Sequence, residues 1–91
     1  MGKYFVDIKE EAKIHFRKIY RSGDRMTIKR IEKILLELSN HPKTGVGNPE
    51  PLKYNLSGFW SRRINKKDRI IYEIIEEPER LVVIISALGH Y

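Results

Sequence analysis

The chain has no cysteine, so disulfides, thiolate nucleophiles and thiolate-based zinc sites are excluded together. No stretch reaches the ~18 apolar residues of a membrane span, and the first residues do not follow a signal-peptide pattern. Val6 stands where a myristoylation motif wants Ser or Thr, which removes Met1-Gly2 as a lipid anchor. The expected location is the cytoplasm, with no membrane association. Carboxylates are short against cations: 12 Asp and Glu face 18 Lys and Arg, a net charge of +6. No carboxylate cluster suits two-metal chemistry, and neither His15 nor His41 has a metal-ligand companion at usable spacing. Neither a metal nor a cofactor is therefore expected. What is present fits one domain over residues 1–91, with a hydrophobic fraction of 41%. Its positive potential attracts polyanions, although charge of this size is equally compatible with simple solubility.

Lys3 to Val6 is a short apolar run that predicts a first β-strand. From Asp7 to Tyr20 the residues Ile8, Ala12, Phe16 and Ile19 recur with a helical period, with Asp7 as N-cap and Glu10 closing a capping box. Ser22-Gly23 ends that helix and Asp24 opens a second, which carries Ile28, Ile31, Leu35 and Leu38 on one stripe. The second helix must stop before His41-Pro42, because the residue preceding proline disfavours the α region. Residues 40–51 hold three prolines and two glycines and read as loop, followed by an extra short strand near Leu52-Lys53. The period then changes to two. Phe59 to Ile64 reads as a strand, Asn65 to Asp68 as its turn and Arg69 to Ile75 as the return strand. After a charged turn at Glu76 to Arg80, the β-branched run Leu81 to Ile85 reads as a strand central in the sheet. The order β-α-α-β-β-β gives an α+β fold in which a two-helix hairpin covers one face of a mainly antiparallel sheet. The other face is the place for a site.

Glu50 lies between Pro49 and Pro51, which hold the local backbone extended and stiff. A carboxylate so braced suits a positioned base, although alone it also reads as an ordinary solvated glutamate. Lys53 is placed to reach a phosphate or to face water. Arg62 and Arg63 are adjacent in a strand and so point to opposite faces. An odd turn puts Arg63 with Arg69 on one face, and an even turn puts Arg62 there instead. The first register is preferred, because Trp60, Ile64, Ile70, Tyr72 and Ile74 then form one apolar face. Two guanidiniums across neighbouring strands repel unless an anion lies between them, which points to phosphate, though Glu73 on the same face offers a neutralising charge. The chain closes with His90-Tyr91: an imidazole suited to protonating a 5′-oxygen leaving group, and a ring that stacks on a base. His15 and His41 are expected to be structural or solvated. A carboxylate base, cations on the phosphate and an imidazole acid are what metal-free RNA cleavage requires.

Pro49 to Lys53, Asn55 to Ile64, Asp68-Arg69, Tyr72 and the closing His90-Tyr91 together resemble the YoeB/Txe toxins of bacterial toxin–antitoxin modules, within the RelE/ParE superfamily. The resemblance covers essentially the whole chain and is strongest from Gly47 onward. It implies a RelE-like fold and a ribosome-dependent endoribonuclease that cuts mRNA in the ribosomal A site and halts translation. On that resemblance Glu50 is the general base, Arg69 stabilises the phosphorane-like transition state, His90 is the general acid and Tyr91 positions the substrate. Lys53 and Arg63 contribute cationic support on the same resemblance, and Arg62 is a further candidate for binding phosphate. The implied partners are a small YefM/Phd-type antitoxin that covers the site, the ribosome with its mRNA, and a second copy in a homodimer. One departure stands out: relatives usually carry a basic residue shortly before the terminal His-Tyr, where this chain has Ser86-Ala87-Leu88-Gly89. Two other readings share the fold or the charge. One is a non-catalytic ParE-like toxin acting on DNA gyrase, and the other is an RNA-binding accessory domain that cuts nothing.

Overall fold

The structure, a computed structural model, describes residues 3–88, so the expectations for His90 and Tyr91 lie outside the described residues. Along the chain run β1 (Phe5–Ile8), α1 (Glu10–Ser22), α2 (Arg25–Leu38), β2 (Glu50–Pro51), a 3-10 turn (Tyr54–Leu56), β3 (Phe59–Arg63), β4 (Arg69–Ile75) and β5 (Leu81–Ser86). The strands form one sheet in the order β1-β5-β4-β3-β2. Successive strands from β2 to β5 pair antiparallel, while β1 lies parallel to β5 at one edge. Both helices pack on one face, which is the expected α+β arrangement.

The β-branched run of β5 explains its central position, since pairing with β1 and β4 satisfies both of its edges. That pairing also corrects the start of α1. Asp7 pairs with Val83 inside β1 instead of capping a helix, and α1 begins at Glu10 with Lys9 as an N-cap whose side chain makes no capping hydrogen bond. Ladder bonds to β5 and burial of Ile8 against the core outweigh the local capping preference. At the next junction local chemistry decides. Gly23 takes φ +74 to end α1, and Asp24 accepts from the Thr27 amide (3.2 Å) and hydroxyl (2.6 Å) to start α2.

The short strand expected at Leu52-Lys53 forms two residues earlier, at Glu50–Pro51. Proline has no N–H to donate, so this segment can only sit at the sheet edge, and there it pairs with Ser61 and Trp60. The β3–β4 register is the preferred one: Arg63 stands opposite Arg69, Arg62 opposite Ile70, and Trp60 opposite Tyr72. Ile70, Tyr72, Val82 and Ile84 therefore face the helices, where they meet Ala12, Ile31, Ile34 and Leu38, all fully enclosed. Phe59, Ser61, Arg63, Arg69 and Glu73 alternate with them on the opposite face. No helix among the described residues is long and apolar enough to cross a membrane.

Candidate active site on the helix-free sheet face

Strand parity puts Arg62 on the core face between Trp60 and Ile64, and its side chain is completely buried. Its Nε donates to Tyr72 Oη (3.2 Å), Nη1 to Glu37 Oε1 (2.7 Å) and Val46 O (3.3 Å), and Nη2 to His41 O (3.1 Å) and Thr44 O (2.7 Å). Every N–H of the guanidinium fork thus has an acceptor inside the protein. The expectation that Arg62 binds phosphate is corrected: no donor is left for a substrate, and no path leads to it.

What Arg62 does is hold a loop. Three of its acceptors are carbonyls of residues 41–46, and Glu37 Oε1 also receives the Val46 amide at 2.9 Å. Tyr72 Oη donates to Pro42 O at 2.8 Å, closing the same network. Burial pushes the Tyr72 phenol up. Burial also acts to raise the Glu37 carboxyl, but the Val46 N–H and the Arg62 guanidinium outweigh it and hold Glu37 below the usual range. Gly47 then accepts from the Arg63 amide at 2.8 Å, which lays the loop along β3. Asn48 takes φ 53, a left-handed conformation that asparagine tolerates, and turns the chain into Pro49. The buried network therefore delivers Glu50 to the edge of the sheet.

There Glu50 pairs with Ser61, which in turn pairs with Ile71 on β4. Arg69, at the start of β4, reaches back across β3. Its Nη1 lies 3.0 Å from Glu50 Oε1 and 3.3 Å from Ser61 Oγ. The Arg69 side chain is 18% exposed and that of Glu50 47%, so the pair is supported from below and reachable from solvent. Only Oε1 is engaged among the described residues, which leaves Glu50 Oε2 available as a proton acceptor. Arg63 is exposed directly across from Arg69 and has no carboxylate partner among the described residues. Glu73 does not neutralise it. It stands opposite Phe59, four positions along β4 from Arg69 and so roughly 13 Å away at strand rise. Lys53 is exposed and extended just beyond β2, at the same edge.

Glu50, Arg63 and Arg69 are thus brought to one face, with Lys53 exposed at the adjoining sheet edge, while Arg62 is removed from it. Ser61, only 1% exposed, was visible in the sequence merely as a neighbour of the arginines, and its hydroxyl steadies Arg69. Glu37 was not foreseen at all. The signal that could have found it is Arg62 itself, a charge in the parity of a core face, which requires a buried acceptor. His41, expected to be structural or solvated, is exposed, and its Nδ1 meets Thr44 O at 3.1 Å within the loop. Leu88, the departure from the basic residue of the resembled family, packs against the core.

A family model described as a YoeB-like toxin of bacterial type II toxin-antitoxin systems matches residues 10–91. The YoeB toxin of Synechocystis sp. is 43% identical over 72 residues, which span 79% of this chain and 80% of that protein. The solved YoeB dimer from Staphylococcus aureus superposes with a TM-score of 0.78 at 28% identity, covering 99% of this chain and 100% of the other. A YoeB-YefM complex from the same organism gives 0.74 at 27% identity, with the same coverage.

Proposed function

The chain belongs to the YoeB-like toxins of bacterial type II toxin–antitoxin systems, and from that premise we propose that it is a ribosome-dependent mRNA endoribonuclease acting by acid–base catalysis. The observation that carries this reading is the 3.0 Å contact between Arg69 Nη1 and Glu50 Oε1 on the exposed sheet face. A carboxylate with one free oxygen beside a guanidinium is the arrangement needed to deprotonate a 2′-hydroxyl and stabilise the phosphate it attacks. Glu50 takes the proton as the 2′-oxygen bonds to phosphorus, and Arg69 stabilises the added charge of the phosphorane. His90 gives its proton to the departing 5′-oxygen, and Tyr91 positions the substrate. The products are a 2′,3′-cyclic phosphate and a 5′-hydroxyl. Lys53 and Arg63 hold the flanking phosphates. A YefM-type antitoxin is the proposed inhibitor, and the dimer seen for the Staphylococcus aureus YoeB makes self-association a further expectation.

The test is cleavage of mRNA on programmed ribosomes, with 5′ ends mapped and end groups identified. Wild type is expected to yield 5′-hydroxyl fragments in the A site. Glu50→Ala, Arg69→Ala and His90→Ala are each expected to be roughly 10²- to 10⁴-fold slower. Full cleavage by the Glu50 and Arg69 variants would remove the mechanism. Inhibited gyrase supercoiling with intact mRNA would favour the ParE-like reading, and salt-sensitive RNA binding without cleavage the accessory-domain reading.

A further inference from the structure

If His90 and Tyr91 act on the phosphate, the fold must fix the chain where it leaves the sheet. The ladder of β5 ends at Ser86, Ala87 is fully buried and Leu88 packs against the core. The two amides beyond the strand both point at one atom. His15 Nδ1, on α1, accepts from the Ala87 N–H at 2.9 Å and from the Leu88 N–H at 3.2 Å. Accepting twice requires a lone pair on Nδ1, which the neutral Nε2–H tautomer offers and the imidazolium does not. Nε2 lies 3.9 Å from Glu11 Oε2, one turn earlier on α1, which favours a proton on that nitrogen. The ring is 16% exposed, so water competes poorly for the same amides. Ala87 is buried, and its N–H has nowhere else to go without leaving the core.

We propose that His15 is a positioning residue: an acceptor on α1 that fixes the backbone of Ala87 and Leu88 and through it supports the C-terminal acid chemistry proposed for His90. The second half of this statement rests on the nuclease reading, while the anchoring half stands on the geometry alone. The role belongs to an acceptor at one position of the side chain rather than to a ring. Asparagine places Oδ1 close to where Nδ1 lies, whereas phenylalanine copies the ring without its lone pair.

The experiment compares full-length wild type, His15→Phe and His15→Asn. Amide hydrogen exchange is read by NMR at Ala87 and Leu88, with the Ile71 and Tyr72 amides of β4 as a folding reference. Cleavage on programmed ribosomes is measured in parallel. His15→Phe is expected to exchange at least about tenfold faster at Ala87 and Leu88 while β4 stays protected. Its kcat is expected to fall about 10- to 100-fold with little change in KM, because a misaimed acid slows chemistry without weakening binding. His15→Asn is expected to recover most of both. Unchanged protection in His15→Phe overturns the proposal, as does lost protection with an unaltered kcat. If His15→Phe loosens β4 as well, His15→Asn decides, and a folded Asn variant with unprotected amides overturns the proposal. Absence of cleavage by wild type would sink the nuclease reading, and the exchange comparison would still decide the anchor.

Discussion

Arg62 and Glu37 form an ion pair at 2.7 Å beneath the sheet, with the arginine side chain completely enclosed and the glutamate 15% exposed. Both charges have been taken from water, and what compensates them is each other and the carbonyls of the loop above. Removing one partner strands the other. Arg62→Ala and Glu37→Ala are each expected to cost about 3–5 kcal/mol in urea unfolding. Arg62→Lys is not a rescue, because an ammonium cannot fill the fork of acceptors that the guanidinium occupies. Loss of less than about 1 kcal/mol in Arg62→Ala, the size of an exposed pair, would show that the network does not hold the loop.

The same carboxylate sets an acid dependence. Glu37 is held low in the folded protein, with burial opposed and outweighed by the Val46 amide and Arg62. Asp24 is lowered by the Thr27 hydroxyl and amide. Each binds protons more readily when unfolded, so unfolding takes up protons and stability rises with pH across this range. The contribution is complete above the unfolded-state value and is lost as pH falls toward the depressed folded value. Unfolding midpoints are expected to hold from neutrality to about pH 5 and to drop below it, and Glu37→Gln is expected to flatten that drop. An acid limb identical to wild type in Glu37→Gln would contradict this.

Two glycines let the loop lie on the network. A Cβ at Gly45 (φ +123) would overlap Glu37 Oε1, and one at Gly47 (φ +89) would stand 2.7 Å from Arg63 O. Gly23 (φ +74) has open space around it, so alanine there meets only the backbone strain. That strain alone is worth about 1–3 kcal/mol, and Gly45→Ala and Gly47→Ala are expected to exceed Gly23→Ala in thermal or urea unfolding. They are also expected to slow RNA cleavage, because the displaced loop leads into Glu50. Equal losses at all three positions would mean that the loop yields freely.

Much of this was legible from residue order, and the failures have physical causes. Period-two alternation located β3 and β4, and an odd turn between them put Arg63 opposite Arg69 as preferred. The same alternation assigned Arg62 to the core face, yet its charge argued for phosphate, and the burial that overrules the charge depends on Glu37, 25 residues away. Asp7 failed for a similar reason: a capping box is a local preference, and parallel pairing with β5 is made by a partner more than seventy residues later. Asp24 and Gly23 succeeded because their partners lie within the same turn. The Glu50–Arg69 contact needed both the Pro-braced edge and the correct register, and only the second was decided by pattern.

Arg69 bridges Glu50 and Ser61 through a single nitrogen, so the two partners are expected to differ in weight. Ser61→Ala removes one long hydrogen bond, 3.3 Å from the guanidinium to a neutral hydroxyl, and should slow cleavage only a few-fold, on the order of 1 kcal/mol. Arg69→Lys keeps a charge but loses the planar fork and should be slowed about 10²-fold or more. A lysine variant as active as wild type would reduce Arg69 to a point charge.

In the proposed reaction Glu50 removes a proton while Arg69 holds the phosphate, and Glu50→Gln isolates the proton transfer. Glutamine keeps an oxygen for the Arg69 N–H and the shape of the β2 edge but cannot take a proton at neutral pH. Single-turnover cleavage on saturating programmed ribosomes should therefore fall roughly 10²- to 10⁴-fold, with ribosome affinity and unfolding midpoint unchanged. A Glu50→Gln protein that cleaves mRNA at the wild-type rate would contradict the account.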